Sequence, residues 1–169
     1  NRNNYIGCIY GEGGKYGLSF CDVSTGAFFA TVCTDPQNVA SELGRFAPSE
    51  VIRYGSGVDK EPIEDAIFRR LSCCVNEGRA EDFRLETAEA TLESHFNATT
   101  ANLGLAGMPA AVICAGSLLK TLLFIQKNDL AHIRELQYYT TGRFMELDLD
   151  ARRNLELTET MRSKEKKGT

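Results

Sequence analysis

Residues 5–32 read YIGCIYGEGGKYGLSFCDVSTGAFFATV, a pattern from which the first half of the fold is predicted. It contains three apolar runs of strand-forming residues, at 5–10, 16–23 and 27–32. The turn signals at 11–14 and 24–26 separate them. Strands joined by turns this short must run antiparallel. The stretch therefore predicts a three-stranded antiparallel meander.

Helical and extended patterns alternate after the meander. A helix is predicted from Pro36, a short strand at 51–54, and a second helix from Pro62 to Leu71. A meander followed by helix–strand–helix units is typical of a mixed sheet with helices packed on it. The predicted class is α/β, with the element order of a ribonuclease-H-like layout.

Helical patterns also dominate the region that follows. Ala88, Leu92 and Phe96 recur at helical spacing, and a polar, glycine-containing connection follows them. Residues 110–126 are apolar on most sides, which predicts a buried helix. Residues 133–139 and 144–149 are predicted to be extended, and a further helical pattern begins near residue 150.

The composition excludes several functional classes. The chain is 43% hydrophobic and 25% charged, as expected of a soluble globular protein. Its net charge of −4 argues against a bulk electrostatic grip on nucleic acid, because that requires clustered Lys and Arg. No apolar run approaches the ~20 residues that span a bilayer. A start at Asn1 without a signal-peptide pattern, and a helical pattern opening close to the last residue, suggest a piece of a longer protein.

Six cysteines raise the possibility of disulfides or a zinc site, but their spacing fits neither. Cys73 and Cys74 are adjacent, which does not match the C-x-x-C spacing of a zinc site. The two histidines, His95 and His132, have no cysteine pair at ligand spacing. The prediction is therefore free, mostly buried thiols in a reducing cytoplasm.

Four segments of the sequence carry motifs that point to one known family. They are residues 16–26, which include Asp22, Ser24, Thr25 and Gly26, then Pro-Ser-Glu at 48–50, Ala-Gly-Ser-Leu-Leu at 115–119, and residues 148–157. Together they resemble the MutS family of DNA mismatch-repair proteins. The first resembles the signature of the family's connector domain, the next two resemble further family motifs, and the last resembles the opening of its core domain. The match follows the family order over essentially the whole chain.

The resemblance implies a domain organisation and a function. Residues 1–128 would be the connector domain, with a ribonuclease-H-like fold, and residues 129–169 an incomplete beginning of the core domain. The connector would link the mismatch-recognition part to the core and ATPase parts, relay conformational change and contribute to docking of MutL. The bacterial, cytoplasmic parent protein would bind mismatched DNA, ATP and Mg and form a homodimer. This chain would contact other MutS domains in cis and no membrane.

The helix predicted around Leu92 corresponds to the segment that carries a pair of glutamines for MutL docking in some family members. The aligned positions here are Ala90 and Thr91, so those contacts do not carry over. Three glutamates remain on this helix, at Glu86, Glu89 and Glu93. Their spacing of three and four residues is typical of a solvated face, and an acidic docking patch is the alternative.

Motifs for catalysis are missing from the sequence. No Gly-x-x-x-x-Gly-Lys-(Ser/Thr) motif occurs, so we expect no nucleotide site, no cofactor and no catalytic activity in this chain. Phe144-Met145-Glu146 has the spacing of the Phe-x-Glu with which the family reads mismatches, but it precedes the core opening and is attributed to chance.

A divergent ribonuclease-H-like, metal-dependent nuclease is the alternative function. Such nucleases hold two metal ions on carboxylates that include an Asp in the first strand. Residues 5–10 contain no acid. Asp22 follows the second run and is predicted instead to cap the turn through backbone hydrogen bonds.

Asp148, Arg152, Arg153 and Asn154 form the predicted junction between connector and core. Two guanidinium groups beside a helix start can bind a phosphate or an acidic partner, or they can anchor the connector to the core through carboxylates such as that of Asp148. We favour the interdomain anchor because of the position of this segment between the two domains.

We expect Arg153→Ala in the full-length protein to weaken the coupling between nucleotide state and DNA binding, because it removes one anchoring guanidinium. The measurement is the affinity for mismatched DNA with and without ATP. A nucleotide dependence equal to that of the unsubstituted protein would contradict the interdomain role.

Overall fold

The computed structural model describes residues 4–126 and 130–141. Asp148, Arg152, Arg153, Asn154 and the predicted extended segment at 144–149 lie outside the described residues.

The described residues form six strands and four α-helices. In chain order the elements are β1 Tyr5–Glu12, β2 Lys15–Asp22, β3 Ala27–Cys33, α1 Pro36–Phe46, β4 Glu50–Gly55, α2 Glu61–Glu64, a π-helix Asp65–Arg70, β5 Cys74–Glu77, a 3₁₀ turn Ala80–Asp82, α3 Leu85–Phe96, α4 Pro109–Ile125 and β6 Gln137–Tyr138.

The strands form one mixed sheet in the order β5-β4-β1-β2-β3-β6. β1, β2 and β3 pair antiparallel, whereas β4 pairs parallel to β1, β5 parallel to β4, and β6 parallel to β3. The β1–β2 turn has Gly13 and Gly14 at φ +59° and +85°, as a two-residue hairpin turn requires. The predicted meander and the α/β class with a ribonuclease-H-like layout are confirmed.

Each face of the sheet is covered by helices. α1, α2 and the π-helix pack on one face, where the ring of Phe46 stacks on that of Phe20 with centroids 4.0 Å apart. α3 and α4 pack on the other face, and α4 lies over β1, β2 and β3. The two cores therefore share the central strands.

The contact of α4 with the sheet and with α3 depends on two glycines. A Cβ on Gly17 of β2 would lie 2.2 Å from the carbonyl oxygen of Ala110 at the start of α4. A Cβ on Gly116 of α4 would lie 2.5 Å from the Cβ of Ala88 on α3. Between these points the buried Ser19 hydroxyl donates to the carbonyl oxygen of Cys114, at 3.1 Å. Helix α4 therefore packs directly against the backbone of β2 and of α3.

Some sequence predictions about local structure were confirmed only in part. The helix predicted from Pro62 to Leu71 is one turn of α-helix followed by a π-helix. The prediction that α4 is buried fails in its last turn, where Phe124 is 79% exposed, because the buried side chains of this helix end at Leu122. Of the segment predicted to be extended at 133–139, only β6 pairs with the sheet.

Residues 130–141 pack on the same sheet as the rest of the chain. Leu130, Ile133 and Leu136 are buried in the core beneath α3 and α4, and Tyr139 is buried in the opposite core. The predicted domain boundary at residue 128 falls in the gap at 127–129 and stays a prediction. The chain that follows this gap contributes to both cores.

All six cysteines lie among the described residues and are free thiols, and five of them are buried. Burial, with a smaller contribution from the charge of Asp22, raises the pKa of the Cys21 thiol to about 12. Burial likewise raises the pKa of Cys33 to about 12. These thiols stay protonated at neutral pH and pack as small apolar side chains.

Within the ranges that the structure describes, none of the helices is long and apolar enough to cross a bilayer.

We expect Gly116→Ala to lower the free energy of unfolding by about 1–3 kcal/mol or more, because the new methyl group overlaps the backbone of Ala88. Gly44→Ala is the matched control, since Gly44 is exposed on α1 with no atom near its Cβ position. That substitution should raise stability by about 0.5–1 kcal/mol. Urea unfolding followed by circular dichroism measures both. Equal effects of the two substitutions on the free energy of unfolding would contradict the close packing of α3 on α4 at Gly116.

Candidate functional site

The residues predicted to dock MutL lie along α3. Glu86, Ala90 and Glu93 are exposed, whereas Glu89 and Thr91 are half-buried at the border of this face. The inner face of the helix buries Ala88 and Leu92 against α4. The exposed residues follow one another at spacings of four and three, so they form one row along the helix. We call this row the α3 face.

Two of these side chains also have local structural roles. A carboxylate oxygen of Glu93 accepts a hydrogen bond from the backbone N–H of Thr100, at 3.2 Å, and so holds the loop after α3. The Thr91 hydroxyl donates to the carbonyl oxygen of Thr87, at 3.0 Å. Glu86 and Ala90 are therefore the members of the row most open to a partner.

A groove of about 550 Å³ borders the α3 face, and we call it the α3–α4 groove. Its lining is contributed by α3, by α4 and by the segment after α4: Thr91, Ser94, His95, Lys120, Leu123 and Ala131. Lys120 holds its ammonium group 2.8 Å from a carboxylate oxygen of Asp82. The groove thus combines two hydroxyl groups, an imidazole, two apolar side chains and a cation that is already paired.

A second groove, of about 540 Å³, lies between the β4–β5 edge of the sheet and the end of α4. Ile52, Phe124 and Ile125 supply its apolar surface, and Glu77 and Arg79 are among the charged residues that also line it. Glu77 forms an ion pair with Arg53, at 3.1 Å, so the charged side chains around this groove have no excess of one sign.

The signature residues form the turn between β2 and β3. One carboxylate oxygen of the fully buried Asp22 accepts from the backbone N–H of Ser24, at 3.0 Å, and from its hydroxyl, at 2.6 Å. The other oxygen accepts from the N–H of Asn4, at 3.2 Å. Thr25 accepts from the N–H of Ala27, at 3.3 Å. Asp22 therefore makes the hydrogen bonds expected of a turn-capping residue.

The same turn contacts the segment after α4. The Nε2 of His132 hydrogen-bonds the carbonyl oxygen of Val23. Gly26 has φ +86°, and a Cβ there would lie 2.5 Å from the carbonyl oxygen of His132. Sequence reasoning missed this contact, because the partners are 109 residues apart and nothing local marks them.

The geometry of the first two strands bears on the nuclease alternative. β1 is longer than predicted and ends in Glu12, which pairs with Lys15, whereas Asp22 pairs with Tyr5 at the other end of the hairpin. Seven residues of strand place the two acids about 23 Å apart, too far to share a metal ion. Within 4–126 and 130–141, no group of three or more His, Cys, Asp or Glu side chains could hold one.

Comparisons with known proteins identify relatives of the whole chain. A family model described as MutS domain II matches residues 4–134. The DNA mismatch repair protein MutS of Methanococcoides burtonii is 37% identical over 164 residues, which cover 95% of this chain and 18% of that protein. The protein of the same name from Ruminiclostridium cellulolyticum is 35% identical over 171 residues, covering 99% and 19%. The chain thus spans about a fifth of the length of these curated relatives.

Graded substitutions at Asp22 test its role in the turn. Asp22→Ala removes three hydrogen bonds to a buried carboxylate and should lower the free energy of unfolding by about 3 kcal/mol. Asp22→Asn keeps an acceptor for Ser24 and loses the bond from Asn4, so the expected loss is about 1 kcal/mol. Urea unfolding measures both. Equal losses, or no loss, would contradict the capping role.

Proposed function

Since this chain belongs to the MutS family, as its domain II, we propose that it is the connector module of a DNA mismatch-repair protein. In this role it links the mismatch-recognition part to the core and ATPase parts, relays conformational change and contributes to docking of MutL. Binding of mismatched DNA, ATP and Mg, and assembly as a homodimer, belong in this proposal to the parent protein. The connector itself takes no cofactor and performs no catalysis.

The exposed α3 face supports the docking role. Glu86 and Ala90 present an acidic and a small side chain on a helix whose other side is fixed to α4 by the contact between Ala88 and Gly116. A rigid helix loses little conformational entropy when a partner binds it. The α3–α4 groove beside it offers a concave surface for a side chain of the partner.

The anchoring of residues 130–141 supports the relay role. The Tyr139 hydroxyl donates to a carboxylate oxygen of Glu42 on α1, at 2.8 Å. The carbonyl oxygen of Tyr139 accepts from the hydroxyl of Thr31 on β3, at 2.6 Å, and its N–H donates to Ala30, at 3.0 Å. A segment held this firmly transmits a displacement of the sheet instead of absorbing it.

The domain division proposed from the sequence, 1–128 and 129–169, would place this anchored segment at the junction itself. Asp148, Arg152, Arg153 and Asn154 remain the proposed junction residues. They follow the anchored segment in the sequence. Contacts between them and the core domain would pass the displacement on to that domain.

The docking role is tested by direct binding of this chain to its cognate MutL at physiological salt. Ala90→Arg should weaken binding at least tenfold, because a long charged side chain in the middle of the α3 face prevents close approach of a partner. Ser41→Arg on α1, an exposed position on the opposite side of the sheet, is the matched control and should leave the affinity unchanged.

Circular dichroism confirms that both variants are folded before binding is measured. Wild-type affinity in Ala90→Arg would overturn the assignment of docking to α3. Equal weakening by the two arginines would contradict a defined docking surface on α3, because it would show a general effect of the added charge.

A further inference from the structure

Both histidines of the chain make a backbone hydrogen bond that involves one short segment, residues 130–133. His95, in the last turn of α3, has its Nε2 2.8 Å from the carbonyl oxygen of Ile133. His132 reaches from the segment to the carbonyl oxygen of Val23, in the β2–β3 turn. A ring nitrogen that faces a carbonyl oxygen must carry the proton, so both side chains donate from Nε2. The segment is therefore tied to α3 on one side and to the turn on the other.

The segment has its own compact structure. The N–H of Ile133 donates to the carbonyl oxygen of Leu130, at 3.0 Å, and closes a turn. Leu130 and Ile133 are 3% and 1% exposed in the core beneath α3 and α4. Because the turn is closed and its apolar side chains are buried, it can pass a displacement from one histidine to the other without unfolding.

The glycine of the signature turn belongs to the same arrangement. Gly26 brings its backbone so close to the carbonyl oxygen of His132 that any side chain would overlap it. Its positive φ would already disfavour other residues. Two independent requirements, conformation and space, thus select glycine at this position.

We propose that His95 and His132 form a latch that couples α3 to the β2–β3 turn through residues 130–133. The three elements then open and close as one unit. The functional consequence rests on the proposed function, because α3 is the helix to which docking is assigned. A partner that shifts α3 would move the segment that leads into the junction.

The latch is tested by hydrogen exchange, followed by mass spectrometry, on the 169-residue chain. His132→Ala should raise exchange in residues 130–138 about three- to tenfold, as expected for the loss of one net hydrogen bond. It should also raise exchange in the last turn of α3, although His132 forms no bond to that helix. His95→Ala should in turn raise exchange at residues 23–26.

Controls separate the latch from general destabilisation. Ser94→Ala and Glu135→Ala alter exposed neighbours of the two histidines and should leave exchange unchanged. His95→Gln keeps a donor and should preserve most of the protection. Exchange in β1 should stay at its wild-type rate in every variant.

Two results would overturn the proposal. One is an increase in hydrogen exchange that is confined to residues next to each substitution, because the segment would then not couple α3 to the turn. The other is an equal rise in β1, because the histidines would then serve only global stability. No partner protein takes part in these experiments, so failure of the latch would leave the docking proposal standing.

Discussion

The close approach of α4 to the backbone of β2 and of α3 fixes where the neighbouring elements lie. The helix approaches β2 where Gly17 has no side chain, and α3 approaches α4 where Gly116 has none. Such short distances allow Ser19 to reach a carbonyl oxygen of the helix from inside the sheet. Because α3 is positioned by its packing on α4, these two glycines determine where the exposed α3 face and the groove beside it lie. The segment at 130–133, which packs beneath both helices, depends on them as well.

Much of the fold could be predicted from the sequence, because the signals for its main elements are local. Alternating strands and glycine turns identified β1, β2 and β3, and Pro36 marked the start of α1. The π-helix was missed, since the buried residues of this region, Ile63, Ala66 and Ile67, are spaced as in an α-helix. Exposure of Phe124 was missed because hydropathy reports the character of a side chain and not where the neighbouring elements end.

The candidate site was less predictable than the fold. Resemblance to the family located the α3 face and the signature turn, and local spacing gave Asp22 its capping role. The contacts of His95 and His132 join residues 38 and 109 positions apart, and only the folded chain brings such partners together. The first strand predicted from the sequence ended at residue 10 and so did not include Glu12, which lies at the end of β1 in the structure. In the structure Glu12 lies at the end of the hairpin opposite Asp22, which explains why these two acids do not form a carboxylate cluster within the part of the chain that the structure describes.

The distribution of the six thiols has a practical consequence. All six lie in the described part of the chain, and Cys74, at the start of edge strand β5, is the exposed one. Its neighbour Cys73 points inward and donates to the carbonyl oxygen of Pro48, at 3.1 Å. A thiol-reactive fluorophore should therefore attach at Cys74 in the native protein without removal of the other cysteines. The natural sequence thus provides a single spectroscopic reporter, on the sheet edge away from β6.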